Sequence, residues 1–196
     1  MTRGPEKQFD PDAALEAAME VFWAKGYEAT SLAELLAAMG IARKSLYDTF
    51  GSKRELFERA LDRYAERERA RLEGIIAGAT SPLEGVKAVI ATWRQAGCGG
   101  ERKGCMLGTN LAHFEAGDET MAARMRRHLD AVERALKHGL ERARAAGEIS
   151  EDADPGDLAR LIASSFQGVA VTGRARKDGA VARSVERALL RVLETA

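Results

Sequence analysis

Two helix-start signals with a glycine between them, all within residues 31–55, limit what this chain can fold into. Ser31-x-x-Glu34 and Ser52-x-x-Glu55 are capping-box patterns, in which a serine and a glutamate side chain satisfy free amides at the start of a helix. Gly40 lies between them and allows the tight left-handed turn that links two short helices. The pattern therefore predicts a pair of short helices joined at Gly40, with a further helix beginning directly after them.

Apolar residues recur at helical spacing along most of the remaining chain. Leu83, Val86, Ile90 and Trp93 form one such stripe, and no stretch alternates convincingly as a strand would. We therefore predict an all-α fold of about nine helices. The expected division is an N-terminal three-helix helix-turn-helix domain at residues 8–68 and a C-terminal helical domain at residues 69–196.

The composition is that of a soluble globular protein, with 45% hydrophobic and 31% charged residues. No apolar run approaches the roughly 18 residues needed to span a membrane, and the first residues lack the apolar core of a signal peptide. Two cysteines in a chain of 196 residues do not make a disulfide framework. We therefore expect a cytoplasmic protein that is not bound to a membrane.

Cations cluster on the second short helix and just after it, although the formal net charge of the chain is zero. In a helix-turn-helix the later helix lies in the major groove of double-stranded DNA, where residues of its first turn meet base edges. Arg and Lys donate to guanine, and hydroxyl groups reach bases or phosphates. A basic pair alone is usually only a solvated surface, but here it follows a capped helix and a glycine turn. The predicted DNA-contacting residues are Thr30, Ser31, Ala42, Arg43, Lys44, Ser45, Tyr47, Asp48, Thr49 and Lys53.

The segment from Phe22 to Leu61 resembles the DNA-binding domain of the TetR/AcrR family of bacterial transcriptional regulators. The rest of the chain agrees with that family only in being helical and of the right length. Leu36 and Ala42 depart from the family pattern, which often has a small residue at the first place and a capping Ser or Asn at the second. Loss of such a cap costs about 1 kcal/mol. The residues that carry the resemblance are Gly26-Tyr27, Thr30-Ser31, Leu46-Tyr47, Phe50, Ser52-Lys53 and Leu56.

The resemblance implies a homodimer that binds a palindromic operator, usually as a repressor. It also implies that a small effector, bound in the C-terminal domain, releases the protein from the operator. It implies a dimer interface on the last two helices, for which the candidates are Leu158, Leu161, Ile162, Phe166, Val185, Leu189 and Val192. Candidates for the effector pocket are Trp93, Met106, Asn110, His113, Phe114, Met125, His128, Phe166 and Gln167. The sequence leaves open that the apolar stripes of the last helices only complete an intramolecular core.

Cys98 and Cys105 flank a glycine-rich loop that contains Arg102 and Lys103. Neighbouring cations favour the reactive thiolate, so a redox-active pair is one interpretation of these residues. The alternative is that Cys105 packs as a small hydrophobe and Cys98 has no special role.

Enzyme motifs are missing from the sequence: there is no nucleophile elbow, no P-loop and no glycine-rich dinucleotide turn. His113, His128 and His138 are not spaced as metal ligands. We therefore predict neither catalysis, nor a cofactor, nor a metal site. The alternatives to a DNA-binding regulator are a non-catalytic helical interaction module and a metal or redox sensor that does not bind an operator.

Overall fold

The computed structural model describes residues 9–98, 104–110, 118–175 and 179–196. Every regular element within these ranges is a helix, which confirms the all-α prediction for this part of the chain. Its helices group into two compact units, one that ends at Tyr64 and one that begins at Ala65. The helices are α1 (Pro11–Lys25), α2 (Leu32–Met39), α3 (Arg43–Phe50), α4 (Lys53–Gly78), α5 (Pro82–Cys98), α6 (Met106–Asn110), α7 (Glu119–Ala145), α8 (Pro155–Ala175) and α9 (Ala180–Thr195).

Helices α2 and α4 begin at the two capping boxes. The Glu34 amide donates to Ser31 Oγ at 3.2 Å, and the Ser31 amide donates to the Glu34 carboxylate at 2.9 Å. Ser52 and Glu55 repeat this exchange at 3.2 and 2.7 Å. Gly40 follows α2 with a left-handed φ of 64°, a conformation that glycine adopts without the steric cost of a Cβ. The turn between α2 and α3 is therefore fixed by local chemistry.

Aromatic and aliphatic side chains form the core of the N-terminal unit. The rings of Phe22 on α1 and Phe57 on α4 meet edge to face with their centroids 5.0 Å apart, and both are fully buried. Leu35 on α2 and both Leu46 and Phe50 on α3 are buried as well. Burying a side chain of this size contributes about 1.5–3 kcal/mol. One face of α3 is thus anchored in the core, and the opposite face is left to solvent.

The core of the second unit lies among the later part of α4 and helices α5, α7, α8 and α9. Ile76 of α4 is a point of close approach for two of these helices. A Cβ placed on Gly85 of α5 would lie 2.8 Å from Ile76 Cα, and one on Gly139 of α7 would lie 3.3 Å from Ile76 Cγ2. Both helices reach α4 this closely because glycine leaves room for it.

Acidic side chains define two helix starts in the second unit. The Leu83 amide at the beginning of α5 donates to the Glu148 carboxylate at 2.7 Å, although the two residues are far apart in sequence. Asp154 Oδ1 accepts from the amides of Asp157 and Gly156 at 3.1 and 2.7 Å, and these hydrogen bonds lower the pKa of Asp154.

None of the described helices combines the length and the apolar character that a membrane crossing demands.

Candidate nucleic-acid interface

Helix α3 divides its side chains between core and solvent. Leu46 and Phe50 are buried, and 47% of Tyr47 is exposed. Ala42, Arg43, Lys44 and Asp48 are also exposed, while Ser45 and Thr49 are half-buried. The exposed group includes Arg43 and Lys44, two of the three cations that the sequence assigns to DNA, on a helix of eight residues.

Two local contacts organise this exposed face. Lys44 Nζ lies 2.6 Å from Asp48 Oδ2, and this hydrogen bond raises the pKa of Lys44. The Arg43 guanidinium lies 5.8 Å from the centre of the Tyr47 ring, within the range of a cation–π contact. Asp48 therefore offsets the charge of Lys44, whereas Arg43 lies beside an aromatic ring and pairs with no carboxylate in the part of the chain that the structure describes.

Lys53, the first residue of α4, extends the cationic surface. Its Nζ lies 4.4 Å from the centre of the Tyr27 ring. That ring packs against Phe57 at a centroid distance of 5.0 Å, and burial raises the pKa of the Tyr27 hydroxyl. Tyr27 thus positions the Lys53 ammonium beside the start of α4. The sequence does not predict a role for Tyr27 at the interface, because only the folded chain brings it next to Lys53.

The start of α3 differs from the starts of α2 and α4. Ala42 occupies the N-cap position, and no side chain accepts a hydrogen bond from the first amides of the helix. Free amides at a helix N-terminus attract anions such as phosphate, and the helix dipole acts in the same direction. The cap that the family pattern often provides is indeed missing here.

The hydroxyl groups of Thr30 and Ser31 are less available for contact with DNA than the sequence predicts. Thr30 is 1% exposed, and its hydroxyl donates to the Gly26 carbonyl at 2.6 Å. The prediction that the Thr30 side chain contacts DNA is therefore wrong, because this hydroxyl closes the turn after α1. The Ser31 side chain is exposed, but its hydroxyl donates to the Glu34 carboxylate at 2.8 Å.

A small cavity in the second unit brings together two of the predicted effector residues. The rings of Trp93 and Phe166 stack with their centroids 4.1 Å apart. They line a small apolar cavity of about 20 Å³ between α5, α8 and α9, with Val185 on its wall. At its edge Arg94 Nε lies 2.8 Å from Glu186 Oε2. No local pattern could reveal this ion pair, since the two residues are far apart in sequence.

The other effector candidates that the structure describes do not line this cavity. Met106, Asn110 and Met125 are buried, and the Asn110 amide donates to the Met106 carbonyl at 2.7 Å within α6. His128 and Gln167 are half-buried. His113 and Phe114 lie outside the described residues.

The candidates for the dimer interface separate into three groups. Leu161 and Val192 are exposed, at 44% and 37%. Ile162 and Leu189 are 1% and 6% exposed, so their assignment to a surface interface is wrong: they belong to the core of their own chain. The half-buried residues that pack against the same core are Leu158, Phe166 and Val185.

Cys105 is buried, with only 3% of its surface exposed. Gln167 Nε2 donates to Cys105 Sγ at 3.5 Å, and the Gln167 Oε1 atom is buried without a hydrogen-bond partner. The side chain of Cys98 lies outside the described part of the structure. Among the described residues no group of three potential metal ligands comes together.

Both units match known protein families. Residues 14–60 match the model of bacterial regulatory proteins of the tetR family, and residues 82–189 match that of a tetracyclin repressor-like C-terminal domain. The HTH-type transcriptional regulator YezE of Bacillus subtilis (strain 168) is 37% identical over 164 residues, which cover 83% of this chain and 84% of that protein. The HTH-type transcriptional repressor ComR of Escherichia coli (strain K12) is 34% identical over 180 residues, or 88% and 83% of the two chains.

A solved structure extends the similarity to the fold as a whole. It contains a cysteine-substituted form of the TetR family transcriptional regulator CifR, complexed with 26 bp double-strand operator DNA. Its TM-score to this chain is 0.80 at 33% identity, covering 95% of this chain and 98% of that one.

Proposed function

We propose that this chain, which belongs to the TetR family of bacterial regulatory proteins, represses transcription by binding a palindromic operator as a homodimer. It is a DNA-binding transcriptional regulator of the helix-turn-helix type. The observation that carries the proposal is the exposed cationic face of α3, held in place by the buried Leu46 and Phe50. The protein acts without catalysis, in the cytoplasm, where bacterial DNA is found.

Two kinds of DNA contact follow from the geometry. Arg43 and Lys44 lie in the first turn of α3, where side chains of a recognition helix reach base edges in the major groove. Tyr47 and Lys53 lie farther along the same surface, and a hydroxyl and an ammonium there suit phosphate oxygens. The free amides that follow Ala42 add a further site for a phosphate.

A pair of alanine variants tests this division. Arg43→Ala should weaken binding to the cognate operator by about 1–3 kcal/mol and relax the preference at one base position. Lys53→Ala should weaken all sequences to a similar degree and lower the slope of log affinity against log salt by about one unit. Arg126→Ala, which removes an exposed cation from α7, is the control and should change neither quantity. Equal losses on cognate and random DNA from both α3–α4 variants would refute the division between base and phosphate contacts.

Exposed apolar side chains on the last two helices support dimerisation. Leu161 and Val171 on α8 and Val192 on α9 are 44%, 56% and 37% exposed. Leu161→Glu adds a charge to this surface without disturbing the core, and burying that charge in an interface without a partner opposes association. Sedimentation should therefore show monomers, and operator binding should fall because the half-sites are no longer occupied by one linked molecule.

Ala122→Glu, on an exposed position of α7, is the matched control and should sediment like the wild type. A folded wild-type protein that sediments as a monomer at operator-binding concentrations would refute the dimer.

The effector in this proposal is a small apolar molecule that occupies the cavity beside Trp93 and Phe166. Its apolar lining suits a compact aromatic compound, and because the cavity measures only about 20 Å³, Trp93 and Phe166 have to move apart to admit one. Benzene serves as the probe and should raise the melting temperature of the wild type by mass action. Ala182→Met fills the cavity and should abolish that shift, since Ala182 lies on the wall and is 4% exposed. An equal shift in both proteins would place the effector elsewhere.

Oxidation of Cys105 is the second candidate for the signal. Its favouring observation is the contact from the Gln167 amide to Cys105 Sγ at 3.5 Å, which an oxygen atom added to the sulfur would displace. Operator affinity is compared for the wild type and Cys105→Ser, with and without a mild peroxide. Peroxide should weaken operator binding only by the wild type; an unchanged wild-type affinity would exclude the thiol as the signal.

A further inference from the structure

A groove on the second unit runs between the later part of α4 and the middle of α7. Arg69 stands on its α4 side, and Arg134, His138 and Arg142 stand on its α7 side. Ile76 and Ala135 are among the apolar residues that line it. Its volume is about 540 Å³. None of these residues lines the cavity beside Trp93, so the groove is a separate feature.

The three α7 residues share one face of the helix. Arg134, His138 and Arg142 follow one another at intervals of four residues, which is close to one helical turn, and all three are exposed. At a rise of 1.5 Å per residue, the first and the last are separated by about 12 Å along the helix axis. The groove therefore offers guanidinium groups at two points along its length, with an imidazole between them.

The acids around the groove leave its positive charge largely uncompensated. Arg69 Nη1 lies 2.9 Å from Glu73 Oε1, so that pair is close to neutral. On α7, Glu133 pairs with Arg160 and Glu141 pairs with Lys137, at 3.2 and 3.6 Å. Arg134 and Arg142 have no ion-pair partner within the part of the chain that the structure describes.

We propose that this groove binds a small organic polyanion that carries at least two phosphate or carboxylate groups. Arg134 and Arg142 would each bind one acidic group, because the planar guanidinium donates two parallel hydrogen bonds to such oxygens. The apolar floor at Ile76 and Ala135 takes the carbon skeleton between them. The volume of about 540 Å³ lies within the range for small-molecule sites. The proposal does not depend on which DNA sequence the protein recognises.

Isothermal titration of the full-length protein at constant ionic strength tests the proposal. Tripolyphosphate and citrate are the probes, and acetate is the monovalent control. At least one probe should bind saturably, and the one that binds more tightly identifies phosphate or carboxylate as the preferred group. The double variant Arg134→Gln/Arg142→Gln should lose affinity by at least about tenfold, since charge-assisted hydrogen bonds are lost at both ends of the groove.

Arg126→Gln is the matched control, because it removes the same charge from an exposed position of the same helix outside the groove. It should bind the probe like the wild type. An equal loss in this variant would show unspecific attraction, and the absence of saturable binding by either probe would also overturn the proposal. Operator binding in the absence of any probe should be unchanged in the double variant. A loss there would assign the groove to the DNA backbone and refute a small-molecule site.

Discussion

Replacing Gly85 by alanine tests how closely α5 approaches α4. The added Cβ would lie 2.8 Å from Ile76 Cα and 2.9 Å from the Ile76 carbonyl oxygen. Both atoms belong to the backbone of α4, so no side chain can rotate out of the way. One helix has to shift by several tenths of an ångström, and Ile76 is part of the core that such a shift disturbs.

The magnitude follows from two opposing effects. Alanine stabilises a helix interior by about 0.5–1 kcal/mol relative to glycine. Overpacking a close contact typically costs about 1–3 kcal/mol. Gly74→Ala on α4 isolates the first effect, because a Cβ there meets no atom within 4 Å. Gly74→Ala should therefore be more stable than the wild type, and Gly85→Ala should be less stable than Gly74→Ala by about 1–3 kcal/mol.

Urea unfolding at a fixed protein concentration measures both variants. The background carries Trp23→Phe, so that the emission of Trp93 on α5 reports the second unit alone. A fixed concentration is necessary because association adds to apparent stability. If Gly85→Ala unfolds at the same urea concentration as Gly74→Ala, then α5 does not approach α4 as closely as the structure has it.

The N-terminal unit provides three further tests. A hydrogen bond from Lys25 is the largest cause that lowers the pKa of Glu34 from 4.5 to about 2. Above the pKa of Glu34 in the unfolded chain, the free energy of unfolding of the wild type should exceed that of Glu34→Gln by the full amount. This difference should vanish as the pH falls through 2, as followed by circular dichroism. A persistent advantage at lower pH would contradict this. Ala42→Ser should supply the missing cap and stabilise the unit by about 1 kcal/mol in urea titrations, and an unchanged midpoint would refute it. Asp48→Asn frees Lys44 from its 2.6 Å partner and should steepen the salt dependence of binding to random DNA by about one unit, measured by fluorescence anisotropy. An unchanged slope would show that the Asp48 carboxylate does not weaken the attraction of this helix for DNA.

The helical framework could be predicted because its signals are local. Ser31 and Ser52 make the capping hydrogen bonds that their spacing from Glu34 and Glu55 requires, and Gly40 makes the left-handed turn. Each of these features depends on residues no more than a few positions apart. The division of α3 into a buried and an exposed face follows in the same way from helical periodicity.

The wrong predictions concern residues whose burial or hydrogen bonding depends on contacts that the sequence pattern does not show. Thr30 has the chemistry of a phosphate contact, but its hydroxyl is used by the Gly26 carbonyl. On the last two helices, the apolar stripe is wide enough to serve both a core and an interface. Sequence periodicity alone could not tell the buried Ile162 from its exposed neighbour Leu161, because that depends on where α5 and α7 pack.

The cationic groove and the Arg94–Glu186 pair were missed for a related reason. Both are assembled from helices that are distant in sequence. Arg134, His138 and Arg142 are visible as a row of cations on α7. Only the packing of α7 beside α4 turns that row into the wall of a groove.

The two-sided construction of α3 has a consequence for how such regulators diverge. Leu46 and Phe50 fasten the helix to the core, whereas Arg43, Lys44 and Asp48 contact side chains of α3 itself. Substitutions at these three exposed positions should leave folding nearly unchanged, since surface changes of this kind have small effects on stability. A duplicated copy of the gene could therefore acquire a new DNA target through a few mutations, without passing through an unstable intermediate. In this helix, the residues that select the DNA sequence can change independently of the residues that maintain the fold.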